Sequence, residues 1–108
     1  MVLYIIIFLK NSKEVFMKFY HGTSDIFKIK SMILPASQTG ILREEFRTKL
    51  TEKVFVTFSV KSAEYYAKKA CEKYGGNPII YEVRPIGYAL FNGGTEYICN
   101  KAKILNAR

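Results

Sequence analysis

The sequence predicts an α+β fold with a mostly antiparallel or mixed sheet, and three observations lead there. Short runs of Val, Ile, Tyr and Phe recur along the chain, each closed by Gly, Pro or Asn, which is the pattern of short strands separated by turns. One long stretch, Ser59–Tyr74, carries apolar residues at the 3.6-residue period of a helix. The 108 residues, 49% of them apolar, suffice for a single domain with its own core.

Taken in order, Val2–Leu9 is a run of eight apolar residues. A bilayer span needs about 20, and the basic start and small-residue cleavage site of a signal peptide are missing. Residues 1–16 therefore read as an N-terminal extension or an extra strand, ahead of a domain over residues 17–108. Met17–His21 reads as a strand that ends in the only histidine and passes the backbone to a turn at Gly22. With no Cβ, Gly22 lets the main chain come close to another group. His21 is either an ordinary strand-end histidine or a ring donor and acceptor at the mouth of a site, with the Thr23 and Ser24 hydroxyls beside it.

Asp25–Ile33 reads as a short helix or an irregular segment, and Leu34–Gly40 as a turn rich in Pro, Gly and small polar residues. Ile41–Leu50 spaces Leu42, Phe46 and Leu50 four apart. That is one amphipathic helix or, given Arg43, Arg47 and Lys49, a basic loop over a cleft. Val54–Phe58 is a strand by composition. In Ser59–Tyr74 the stripe Ala63, Tyr66, Ala67, Ala70, Cys71 and Tyr74 is expected to be buried, with Ser59 as N-cap and Gly75-Gly76 as the stop. Ser62 and Tyr65 lie off that stripe on a second face. Pro78–Arg84 and Tyr88–Phe91 read as strands, Asn92-Gly93-Gly94 as a tight turn, and Glu96–Cys99 and Lys103–Leu105 as two closing strands.

Seventeen Lys and Arg against nine Asp and Glu give a net charge of +8. Such a balance suits an acidic or phosphorylated partner (nucleic acid, a dinucleotide, an acidic protein face), or is a lysine-rich solvated surface, since the lysines are scattered. Cys71 and Cys99 stand far apart and only one histidine could join them, so no zinc site is expected and both read as reduced thiols of a cytoplasmic protein.

Three stretches stand in a telling order: His21-Gly22-Thr23; Val54-Phe55-Val56-Thr57-Phe58 leading into Ser62-Ala63-Glu64-Tyr65-Tyr66; and Gly94-Thr95-Glu96-Tyr97-Ile98. This order resembles the ADP-ribosyltransferase superfamily, in the branch with a histidine, tyrosine, glutamate signature. Val54–Ala67 and Ile80–Gly87 are most similar to the small rifampin ADP-ribosyltransferases. Lys61-Ser62-Ala63, the aromatic three after Ser62, and Glu96-Tyr97-Ile98 are most similar to the poly(ADP-ribose) polymerase catalytic domains. The resemblance covers Met17 to about Leu105.

The resemblance implies two short mixed or antiparallel sheets around an NAD⁺ cleft, with one or two helices. It implies that the Gly22 backbone and the Ser62 hydroxyl hold the nicotinamide carboxamide, that His21 and Thr23 bond a ribose, and that Tyr65 stacks on the nicotinamide ring. Glu96, with His21, would be catalytic, binding the ribose 2′-hydroxyl and steadying the cation that grows as the glycosidic bond breaks. The signature tyrosine falls at Phe55, which keeps a wall and drops a hydroxyl. Gly94 stands where modifiers of protein arginine carry a second acidic or amide residue, so arginine modification is not implied. The expected reaction is mono-ADP-ribosyl transfer from NAD⁺, the substrate, to a protein, nucleic acid or small molecule, with no metal and no membrane partner. The alternatives are a non-enzymatic basic nucleic-acid-binding module, or an NAD⁺ glycohydrolase on the same fold.

Overall fold

The computed structural model describes residues 5–6, 17–35 and 53–108. The elements are β1 (Ile5–Ile6), β2 (Phe19–Ser24), a 3₁₀ turn (Asp25–Phe27), β3 (Met32–Ile33), β4 (Val54–Thr57), α1 (Val60–Tyr74), β5 (Pro78–Pro85), β6 (Ala89–Gly93), β7 (Glu96–Cys99) and β8 (Ala102–Ala107). The chain is thus α+β, and every strand pair is antiparallel. The segment Ile41–Leu50, read above as a helix or a basic loop, lies outside the described residues. Among the described residues no helix is long and apolar enough to cross a membrane.

The expectation of two sheets is corrected. The strands join in one sheet in the order β1-β6-β7-β4-β2-β5-β8-β3. Its seam is narrow, however: β2 and β4 share a single residue pair, Tyr20 with Thr57. On either side the pairing is long, with six pairs between β2 and β5 and four between β4 and β7. Two well-paired halves therefore meet at one point, and the strands part beyond it.

The reading of β2 is also corrected. The strand does not stop at His21; it runs through Gly22 and Thr23 to Ser24, each in register with β5. No turn forms at Gly22. A Cβ on it would fall against the Ala63 carbonyl oxygen, 2.7 Å from the carbonyl carbon and 3.0 Å from the Ala67 nitrogen. The glycine exists so that α1 can lie against the strand.

That close approach explains the helix face. Only Ala63 and Ala67 are buried, because small residues alone fit where two backbones nearly touch. Tyr66, expected on the buried stripe, is 40% exposed and sits to one side. Both helix ends are capped as the sequence predicts. The Ser59 hydroxyl accepts from the Ser62 amide at 3.2 Å, and the Gly75 amide donates to the Cys71 carbonyl at 2.8 Å with φ at +85°. Ser24 fastens the C-terminal end, its buried hydroxyl donating to the Gly75 carbonyl at 2.5 Å.

The principal core lies on the sheet face away from α1. Phe19, Val54, Val56, Tyr81, Val83, Tyr97, Cys99 and Ala102 are buried in it. Tyr97 is its hub, with the rings of Phe19 at 5.2 Å and Phe91 at 5.5 Å set edge-on. Burial of Val54, Val56, Tyr97 and Cys99 turns their sequence neighbours Phe55, Thr57, Glu96 and Ile98 to the opposite face, because side chains alternate along a strand.

Candidate functional site

On that opposite face β4, β7 and β6 carry a half-buried apolar floor. Phe55 stands across from Ile98, and Ile98 across from Leu90. One residue pair further along the same face, Thr57 stands across from Glu96. The N-terminal turn of α1 adjoins this point, because Ser59 caps it two residues after β4 ends.

A chain of hydroxyls locks these parts together. The Ser59 amide donates to Thr57 Oγ1 at 3.1 Å. Thr57, buried, donates in turn to Thr95 Oγ1 at 2.9 Å. Thr95 Oγ1 lies 2.9 Å from Ser62 Oγ. With the Thr57 proton committed to Thr95, Thr95 can donate to Ser62, which leaves the Ser62 proton free to point away from the chain. Ser62 stands out in the sequence by its place off the buried stripe, whereas Thr57 and Thr95, which hold it, carry no local signal.

Glu96 follows Thr95 directly and has both carboxylate oxygens engaged. Tyr66 donates its phenol to Oε1 at 3.0 Å, and Asn92 donates its amide to Oε2 at 2.7 Å. The bulge between Phe91 and Gly93 turns Asn92 to this position. Gly93 and Gly94, at φ +115° and +55°, permit the return of the chain into β7. Desolvation first, and then the bond and charge of Glu96, push the Tyr66 phenol above its ordinary 10.0, so it remains a proton donor.

Tyr66, not Tyr65, is therefore the tyrosine that reaches Glu96. Tyr65 is 57% exposed and stacks edge-on against Tyr66 at 5.7 Å, with the Lys69 ammonium 5.5 Å from its ring centre. The spacing of residues on α1 does separate Tyr65 from the buried stripe, but it could not say which tyrosine stood over β7.

His21 sits at the seam rather than in this cluster. Its Nδ1 lies 2.7 Å from the Phe55 carbonyl. A carbonyl only accepts, so Nδ1 carries the proton and Nε2 is the acceptor. The ring replaces a main-chain ladder bond where β2 and β4 part. Burial lowers its pKa below the ordinary 6.5, with the Phe55 bond opposing that, so the neutral ring is favoured. Tyr20, Thr57 and Glu96 share one face by register, which sends His21, the next residue, toward the other. Among the described residues no hydrogen bond joins His21 to Glu96. Thr23 is buried beside Ile79, and the Gly22 Cα faces α1.

Thus the Ser62–Thr95 bond sets Ser62 one residue from Glu96, Phe55 supplies the adjoining floor, and His21 stands on the other face with its ring on the Phe55 carbonyl. Thr23 and Tyr65 stand apart from that cluster. Among the described residues no group of three His, Cys, Asp or Glu is placed to hold a metal ion. No protein-family profile, curated protein or solved structure matches the chain.

Proposed function

We propose that this protein is a mono-ADP-ribosyltransferase that cleaves NAD⁺ and passes ADP-ribose to an acceptor. The observation that carries the reading is the Ser62–Thr95 hydroxyl bond, one residue ahead of Glu96, beside a half-buried floor of Phe55 and Ile98. A hydroxyl with a proton to give, an apolar wall and a fixed carboxylate are the groups that nicotinamide release needs.

In this reading the nicotinamide ring lies on the Phe55 floor and Ser62 donates to its carboxamide. The glycosidic carbon–nitrogen bond breaks, and its electron pair neutralises the ring nitrogen as nicotinamide leaves. Positive charge grows on the ribose, and Glu96 stands by as the opposing carboxylate. Tyr66 and Asn92 hold that carboxylate still, so that little reorganisation is needed when charge develops. An acceptor nucleophile then bonds to the ribose carbon and gives up its proton. His21, turned to the face away from Glu96, takes no part in the NAD⁺ contacts of this reading, and its ring holds the seam through the Phe55 carbonyl. Thr23, buried, fits its expected ribose contact least well.

The test is incubation with NAD⁺ labelled in the adenylate moiety and a cell lysate, with nicotinamide release followed in parallel. Label on an acceptor, with release abolished in Glu96→Gln, supports transfer. Release without labelled acceptor means glycohydrolysis, and no release at millimolar NAD⁺ overturns the reading.

A further inference from the structure

A second surface stands on the other half of the sheet. Arg84 on β5 and Lys103 on β8 are direct cross-strand partners, and both are exposed. Lys18 precedes Phe19, whose partner is Val83, so the same register carries exposed Lys18 to the other flank of Arg84. Three cations thus stand in one row, Lys18 just ahead of β2, Arg84 on β5 and Lys103 on β8. Strands lie about 4.8 Å apart, which makes the row ~10 Å long. Like charges placed directly opposite destabilise a sheet, and among the described residues none of the three is ion-paired. Folding alone gives no reason for the row.

The adjoining row on the same face supplies an aromatic group. Tyr20 stands across from Glu82, two residues from Arg84. Its half-buried ring carries the Arg108 guanidinium 5.6 Å from its centre. Cations in a line with an aromatic ring and a second guanidinium beside them match a phosphate chain whose bases are free to stack. A duplex hides its base faces, and an acidic peptide has none. Two carboxylates belong to that row: Glu82 accepts from Asn106 at 3.4 Å, and Glu96, beyond Thr57, is held by Tyr66 and Asn92.

We propose that Lys18, Arg84 and Lys103, with Tyr20 and Arg108 beside them, bind single-stranded nucleic acid. The surface is independent of NAD⁺ chemistry, and its test uses no NAD⁺. A fluorescent 20-nucleotide single strand is titrated with the full chain at several salt concentrations, followed by anisotropy. Arg84→Ala/Lys103→Ala is compared with Lys68→Ala/Lys73→Ala, which removes the same charge from the exposed side of α1. Each phosphate contact contributes roughly 0.7 to the salt slope for single strands. The row variant is expected to lower the slope by about 1.4 and the affinity at 0.1 M salt roughly 10- to 30-fold. The helix variant should stay within about twofold of the parent, as a site outside the contact requires. Tyr20→Leu should weaken binding about 5-fold or more through lost stacking. The row variant should melt no lower than the parent, because a like-charge pair has gone. Arg84→Gln repeats the measurement should the double variant not fold. Equal loss in both double variants, tighter binding to a duplex or to polyglutamate, or no binding at low salt overturns the proposal.

Discussion

Gly22 has no side chain at the point where β2 meets the carbonyl of Ala63 on α1, and a Cβ there would lie 2.7 Å from that carbonyl carbon. Main-chain atoms have nowhere to go at such a distance, so the helix and strand would have to separate. Gly22→Ala is therefore expected to destabilise the fold by about 3 kcal/mol or more, at the upper end of overpacking costs. Urea unfolding checks it. A loss under 1 kcal/mol would mean that the helix is not seated as described.

The Thr57 hydroxyl is buried and serves both the Ser59 amide and Thr95. Thr57→Val keeps the shape and strands both partners. The expected cost is about 1–3 kcal/mol. Because the same chain holds Ser62, NAD⁺ affinity should fall with it, while Ser24→Ala, which loosens the far end of the helix and the cap of the 3₁₀ turn, should leave NAD⁺ affinity unchanged. Calorimetric titration of both variants separates the two effects.

Glu96→Gln removes the negative charge but keeps the size, and the Tyr66 hydroxyl can turn to accept from the new amide. Nicotinamide release should fall roughly 100- to 1,000-fold, as for loss of one preorganised electrostatic partner, with NAD⁺ still bound. Tyr66→Phe removes only the bond that holds Oε1, so its loss should be smaller. In the double variant the two effects should not add, since Tyr66 acts through Glu96. Additive losses would assign Tyr66 a separate role.

His21 titrates below its ordinary 6.5 because the folded chain desolvates its ring. The unfolded chain then binds the proton more readily, so stability rises with pH between the folded value and 6.5 and is lost as pH falls through that window. Chemical unfolding from pH 8 to pH 5 should show this limb (roughly the range in which an unperturbed histidine charges). His21→Gln should flatten it and leave NAD⁺ binding unchanged, as a strand-seam group on the face away from Glu96 requires. A flattened limb with weakened NAD⁺ binding would give the ring a contact with the ligand.

Cys99 is buried and desolvation pushes its thiol up to about 12, against the milder lowering by Lys53. It should therefore stay inert to a thiol reagent at neutral pH until the chain unfolds, whereas half-buried Cys71 reacts in the native state. Mass spectrometry of alkylated native protein distinguishes the two positions.

Local rules settled much of this protein from sequence alone. The helix Val60–Tyr74 announced itself by period, by the Ser59 cap and by the Gly75 stop, all of which depend on near neighbours. Strands β4, β5 and β7 likewise follow from β-branched and aromatic runs bounded by turn residues. The motifs around Glu96 and Ser62 single them out as candidates. What the sequence could not decide was everything set by a contact between distant segments. Gly22 looked like a turn residue, because nothing near it in the chain reveals the Ala63 carbonyl. Tyr65 and Tyr66 are adjacent and chemically alike, and only the seating of α1 on Gly22 brings Tyr66, rather than its neighbour, to Glu96. The single pair between Tyr20 and Thr57, where the sheet narrows and His21 turns to the Phe55 carbonyl, arises from how two halves meet. Propensity and period act over a few residues, whereas the site is made where strands far apart in sequence converge, and there packing decides.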